Sequence, residues 1–227
     1  MLALDPLHLI GLQLELECIG LNDQGLLVRI PGPDPDDIGC CYVYRHAYGY
    51  SRFLRHDVPA ETRTSLLALP VEAGFERPET LLAVLRQNAP RAEWGSGSSY
   101  VFPETLAPAD FADVSQLGET HRSVIHQFDP HLSVSPNRPI QAILVDGQIV
   151  SACVSAREND WAAEAWVQTR PGFRRRGFAR QVTAAWAHQV RRQGKVPFYS
   201  HRRENVASRA VAKSLGLIWF VDYAVYQ

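Results

Sequence analysis

Val167-Gln168-Thr169-Arg170-Pro171-Gly172-Phe173-Arg174-Arg175-Arg176-Gly177-Phe178-Ala179 is the stretch that decides how the rest of this chain is read. Before it, residues 161–169 carry strand-like side chains, and Pro171-Gly172 is a turn pair. After it, Phe178, Val182, Ala185, Trp186 and Val190 recur at three- and four-residue steps along one helix face. The stretch is therefore a strand, a turn and a glycine-containing helix start. A helix start exposes backbone N–H groups without intrahelical partners at the positive end of the macrodipole, which suits phosphate oxygens. Gly177 lets the backbone come close to a ligand, and Ala179 is small for the same reason. Between Ala165 and Arg203 there is no Asp or Glu but ten Lys or Arg; Arg170, Arg174, Arg175, Arg176 and Arg180 fall within eleven residues. Charge so concentrated predicts an anionic ligand held by charge-assisted contacts.

Working outward, Gly194 ends this helix and residues 196–200 form a short apolar strand. Asn205 caps a further helix with Ala207, Ala210, Val211 and Leu215 as its apolar stripe, and Gly216 closes it. Residues 217–226 read as a last strand. Upstream, residues 140–145 and 149–157 flank Asp146-Gly147, a strong hairpin signal, and residues 108–128 are expected to be helical.

The first hundred residues have a different texture. Ile10, Leu12, Leu14 and Leu16 alternate with Gly11, Gln13, Glu15 and Glu17, which predicts a half-buried strand. Asn22-Asp23-Gln24-Gly25 supplies a turn, residues 26–30 return as a second strand, and three prolines make residues 31–37 a loop. Residues 40–55 are aromatic-rich and strand-like; residues 59–69 and 77–87 have helical spacing. Ala89-Pro90 and Gly95-Ser96-Gly97-Ser98-Ser99 read as an exposed connector. The expected division is residues 1–104 and residues 105–227.

Two motifs carry a resemblance. Arg174-x-x-Gly177-x-Ala179 matches the pattern Q/R-x-x-G-x-G/A, and it follows a strand and opens a helix. Asn205-x-x-Ser208 leading to Lys213-Ser214-Leu215-Gly216-Leu217 is similar to N-x-x-S-x-x-x-x-K-x-x-G-F, with Leu217 in place of the aromatic. From about residue 105 onward the chain resembles the GNAT-type N-acetyltransferases. The resemblance implies an α/β, GNAT-like acyltransferase fold, a mixed, mostly antiparallel sheet flanked by helices, with an N-terminal mixed α/β lobe. It implies acetyl-coenzyme A as co-substrate. Backbone groups of Val167 and Thr169 would pair with the pantetheine arm, the Val167 N–H also polarising the thioester carbonyl. Arg174 and the amides of Arg175, Arg176, Gly177, Phe178, Ala179 and Arg180 would hold the pyrophosphate. Asn205 and Ser208 would lie beside the pantetheine and the departing sulfur. Glu164, on the cofactor strand, would be the base that receives the amine proton. Many such enzymes place a tyrosine one position before the lysine; this chain has Ala212 there, leaving Tyr199, Tyr223, Ser208 or solvent to serve the thiolate.

Several classes are set aside. The chain of 227 residues, 46% hydrophobic, is long enough for one large domain or two small ones. No run approaches the roughly 20 apolar residues of a membrane helix. The leucine-rich start is broken by Asp5, Glu15 and Glu17 and lacks the features of a secretory leader, so a soluble cytoplasmic protein is expected. Cys18, Cys40, Cys41 and Cys153 form no CxxC pair and read as reduced thiols; the eight histidines show no metal-binding spacing, so no metal site is expected. A net charge of −1 and an arginine run without interleaved aromatics argue against nucleic acid as a partner. His201 is read as structural, with a place in the cleft as the alternative. The expected partner is an amine-bearing acceptor, a small molecule before a protein amine, and a homodimer is left open. The competing reading is a non-catalytic acyl-coenzyme A sensor or scaffold of the same fold.

Overall fold

The computed structural model describes residues 5–32, 38–106, 111, 113–132, 138 and 140–227. The chain divides into two compact units. The first comprises Met1–Tyr100, Ser200–Val206 and Trp219–Gln227; the second comprises Val101–Tyr199 and Ala207–Ile218.

The first unit begins with helix α1, Pro6–Leu16, where alternation predicted a strand. Asp5 accepts the Leu7 N–H at 3.1 Å and Pro6 takes the first helical turn, a start signal that the alternating leucines obscured. The buried set Leu9, Ile10, Gln13, Leu14 and Leu16 follows the helical period instead. Strands β1, Ile19–Leu21, and β2, Leu27–Arg29, then pair antiparallel. Their turn is held by the Asn22 carboxamide, which accepts from the N–H groups of Gln24 and Leu26 at 3.0 Å. The proline loop falls largely on residues 33–37, outside the described residues.

Next come β3, Cys41–His46, and β4, Gly49–Leu54, an antiparallel pair that bears out the strand-like reading of this region. Helices α2, Ala60–Leu67, and α4, Pro78–Leu85, lie where helical spacing placed them, with the short α3, Ala73–Glu76, between. The Gly-Ser stretch is not a connector. It is β5, Trp94–Val101, with Ser96 and Ser99 buried. Small residues are required there: a Cβ on Gly97 would stand 2.3 Å from both the His201 carbonyl oxygen and the Tyr223 hydroxyl. The last strand, β11, Ile218–Tyr226, pairs antiparallel with β3, and the order in this unit is β4-β3-β11-β5-β10. Cys41, Val43, Leu54, Leu66, Leu81, Leu82 and Tyr226 form its core, and the Tyr226 hydroxyl donates to the Gly74 carbonyl at 2.7 Å.

The second unit holds β6, Ser115–Leu117, α5, Arg122–Phe128, β7, Ile140–Val145, β8, Gln148–Glu158, and β9, Ala162–Thr169. The single helix expected over residues 108–128 is corrected. Residues 107–110 and 112 lie outside the described residues; Ser115–Leu117 is a strand paired to β7, and extended Gly118 separates it from a short 3-10 turn and α5. Asp146 and Gly147, at φ of 51° and 74°, form the two-residue turn between β7 and β8 that their sequence announced. After β9 come α6, Phe178–Arg192, β10, Val196–Arg202, which reaches into both units, and α7, Val206–Ser214. The order here is β10-β9-β8-β7-β6, antiparallel apart from the β10–β9 pair. Helix α5 covers one face through Ile125 against Ile140, Ala142 and Ala152. Helix α6 packs on the other, with Trp186 donating to the Ser155 hydroxyl at 3.1 Å. The fold is thus a mixed, mostly antiparallel sheet flanked by helices, with a mixed α/β N-terminal lobe. Among the described residues no helix is long and apolar enough to cross a membrane.

Candidate active site

Strand β9 is flanked unequally. On one side it pairs with β8 along its length, from Glu158↔Ala163 to Ser151↔Thr169. On the other, its parallel ladder with β10 runs from Val196↔Ala162 to Phe198↔Glu164, and β9 continues five residues beyond it to Thr169. Val167 and Thr169 lie in that continuation, and the Thr169 hydroxyl is fixed to Ser151 at 2.8 Å.

The chain then turns through Pro171–Phe173 and reaches α6 over an exposed loop. Arg175 has φ 61° and Gly177 φ 81°, so the left-handed region is visited twice in three residues. Gly177 is the N-cap residue, and a Cβ there would meet nothing of the protein within 4 Å. Backbone conformation and open space, not internal packing, account for glycine at this position. No side chain caps α6, and its first turn carries no acid. The first intrahelical bond is Gln181 N–H to the Gly177 carbonyl at 3.1 Å, which leaves the N–H groups at the helix start for an outside acceptor.

The arginines are deployed differently from one another. Arg174 donates to the Thr169 carbonyl at 3.3 Å and Arg180 to the Ser214 carbonyl at 3.1 Å. Arg176 lies over the Phe173 ring at 5.1 Å, and Arg170 over Phe128 at 5.7 Å. These contacts use part of the guanidinium fork and fix the stems, so the positive field around the loop is held in place.

Glu164 is buried, and its Oε2 accepts from Arg157 at 2.7 Å. Sequence reasoning missed Arg157. It stands opposite Glu164 in the β8–β9 register, which counting back from the turn at Asn159 would have reached. Alternation along β9 turns Glu164 to the face opposite Ala165 and Val167.

On α7 the buried positions are Ala212 and, just beyond the helix, Leu215, with Ser208 and Val211 half-buried, whereas Ala207 and Ala210 are exposed. The expected stripe was right at two of four positions; the methyl groups of alanine do not commit a helix face strongly. Ser208 lies in the same unit as the arginine loop, and Asn205 in the first unit, its N–H donating to the Arg202 carbonyl at 2.9 Å. Tyr199 is buried on β10. Burial pushes its hydroxyl up to about 12, only partly eased by the nearby Ser208. It therefore keeps its proton at neutral pH.

Residues 141–226, which contain this loop and both motifs, match the family model for GNAT acetyltransferases. This part of the chain is similar to the GNAT acetyltransferases. Solved structures share the GNAT fold over most of the chain. A GCN5-related N-acetyltransferase-like protein from Streptococcus suis is 13% identical, with a TM-score of 0.52 over 92% of this chain and 87% of that one. A GNAT-family acetyltransferase from Colwellia psychrerythraea is also 13% identical, with a TM-score of 0.51 over 92% and 80%. A putative GNAT acetyltransferase from Novosphingobium aromaticivorans is 18% identical, with a TM-score of 0.49 over 59% of this chain; the chain spans 64% of that protein's length. No curated protein matches the chain.

Proposed function

We propose that this protein transfers the acetyl group of acetyl-coenzyme A to an amine. The observation that carries the reading is the start of α6: uncapped, free of acid, set behind a left-handed glycine and ringed by arginines, inside the segment that matches the GNAT family. In this reading the amides from Arg175 to Arg180, with Arg174 at the head of the loop, hold the pyrophosphate. Val167 and Thr169, beyond the end of the β9–β10 ladder, pair with the pantetheine as an added strand would. The Val167 N–H then steadies the oxyanion of the tetrahedral intermediate. Asn205 and Ser208 attend the pantetheine and the sulfur. Glu164 is the residue assigned to receive a proton from the amine, directly or through water. The acceptor is an amine-bearing small molecule, and the working compartment is the cytoplasm.

Two observations favour a second reading, an acyl-coenzyme A sensor of the same fold. Ala212, buried at 2% exposure, occupies the position of the usual tyrosine, and Glu164 is engaged by Arg157. Thiol release from acetyl-coenzyme A, followed over a panel of amines, separates the two. Amine-dependent release establishes transfer; tight coenzyme A binding with no release on any amine establishes the sensor.

A further inference from the structure

Among the described residues, five buried side-chain polar atoms have no hydrogen-bond partner. Gln13 Oε1, Arg52 Nε and His201 Nε2 lie in the first unit; Thr183 Oγ1 and Tyr199 Oη lie in the second. Tyr199, 1% exposed, holds a particular place on β10. The parallel ladder with β9 ends at Phe198↔Glu164, so Tyr199 is the first residue of β10 beyond it. Paired residues point to one face of a sheet and successive residues alternate. Tyr199 therefore shares a face with Ala165 and Val167 of β9 and with their partners on β8, Ser155 and Cys153. This is the face covered by α6, whose Trp186 donates to the Ser155 hydroxyl at 3.1 Å. Ser208 of α7 reaches the same place, near enough to Tyr199 to ease ionisation of its hydroxyl. All of these residues belong to the second unit.

A phenol hydroxyl is one donor, and burying it without an acceptor costs folding free energy that a phenylalanine would avoid. The neighbours on its face do not supply that acceptor. The Ser155 hydroxyl is engaged by Trp186. Cys153 is fully buried, which holds its thiol protonated, and a thiol is a weak acceptor. Thr183 lies beside that thiol with its own hydroxyl unpartnered. Ala212, four residues beyond Ser208 on the same side of α7, offers only a methyl group. The hydroxyl thus stands bare at the point where β9 runs on past its ladder with β10.

We propose that Tyr199 holds the sulfur of coenzyme A, its hydroxyl donating a hydrogen bond to the thiolate as the C–S bond breaks. The inference rests on the cofactor reading above, in which the Val167 N–H meets the thioester carbonyl. Val167 stands opposite Cys153, and Ser208, assigned to the sulfur, is the neighbour of the Tyr199 hydroxyl. A neutral amine adds to the carbonyl carbon, forming the C–N bond, and its extra proton leaves to Glu164 or water. Collapse of the tetrahedral adduct returns the C–S electron pair to sulfur. The negative charge develops there against a donor already in place, which is where such a contact lowers a barrier most. The phenol keeps its proton throughout, and the thiolate takes one from water as coenzyme A departs.

The test uses the full chain, coenzyme A, and desulfo-coenzyme A, which carries hydrogen where the thiol would be. Calorimetry should show coenzyme A preferred over the analogue by a margin that widens as the thiol ionises, between about pH 7 and about pH 9. Tyr199→Phe should shrink that margin about tenfold or more at the upper end while binding the analogue as the unaltered protein does. Equal weakening of both ligands is what a merely structural role predicts; that result, or an unchanged margin, would overturn the proposal. Because the substitution deletes a hydroxyl without a partner, the melting temperature should hold or rise. A fall of several degrees would mean an internal partner and would also overturn it. With acetyl-coenzyme A and the best of a panel of amines, kcat should fall roughly 10- to 100-fold with KM for acetyl-coenzyme A little changed. If the unaltered protein binds neither ligand, the cofactor reading fails and this inference with it. If it binds coenzyme A but turns over no amine, the transferase reading alone fails and the calorimetric margin still decides the role of Tyr199.

Discussion

Gly177 concentrates the argument at the scale of single residues. Its φ of 81° strains any L side chain, yet open space surrounds its Cβ position. Gly177→Ala should therefore weaken coenzyme A binding only by about the 1–2 kcal/mol of left-handed strain. Gly177→Glu adds bulk and a negative charge where pyrophosphate would lie, and calorimetry should find no binding at all. Retained affinity in the glutamate variant would remove the cofactor assignment. Glu164→Gln removes the buried carboxylate from its ion pair with the half-buried Arg157, so stability should drop by roughly 1–3 kcal/mol, read as a shift in the denaturant midpoint. Side-chain type and spacing made the loop legible in the sequence, because a helix start, a glycine and arginines are local features. The partner of Glu164 was not legible by the same means: Arg157 reaches it through strand register, which local composition does not state.

At the scale of elements, strand β5 and helix α1 show where composition misleads. Gly95 to Ser99 looked like linker because glycine and serine are common in flexible chain; here their small size admits neighbours across a strand. Gly97→Ala should lower the melting temperature by several degrees, since its Cβ would clash with backbone oxygen as well as a ring, while Gly95→Ala, with nothing within 4 Å, should change it little. In α1 a fortuitous every-second leucine hid an Asp-Pro start. The β3–β4 hairpin supplies a pH test. His46, whose Nε2 lies 2.9 Å from the Ser51 hydroxyl, has its proton affinity lowered by burial from an ordinary value of 6.5. The unfolded chain then binds more protons in the window just below that value, so stability falls on acidification through it and is unaffected well above it. His46→Gln should flatten the dependence of the urea midpoint between pH 7.5 and about pH 5. A slope that survives the substitution would place the acid sensitivity elsewhere.

For the whole molecule, the order of strands matters more than their number. In the first unit β11 stands between β3 and β5, although some 120 residues separate it from β5 in the chain. A fragment of residues 1–104 would keep β3 and β5 but lack the strand between them. It should show helical circular dichroism without the dispersed amide spectrum of a packed sheet, and adding a peptide of residues 217–227 should restore dispersion. A fragment that folds unaided would contradict this order. During synthesis the consequence is a delay. The first strands to leave the ribosome cannot complete their sheet until the last strand arrives, so the half of the protein made first is the half that finishes folding last.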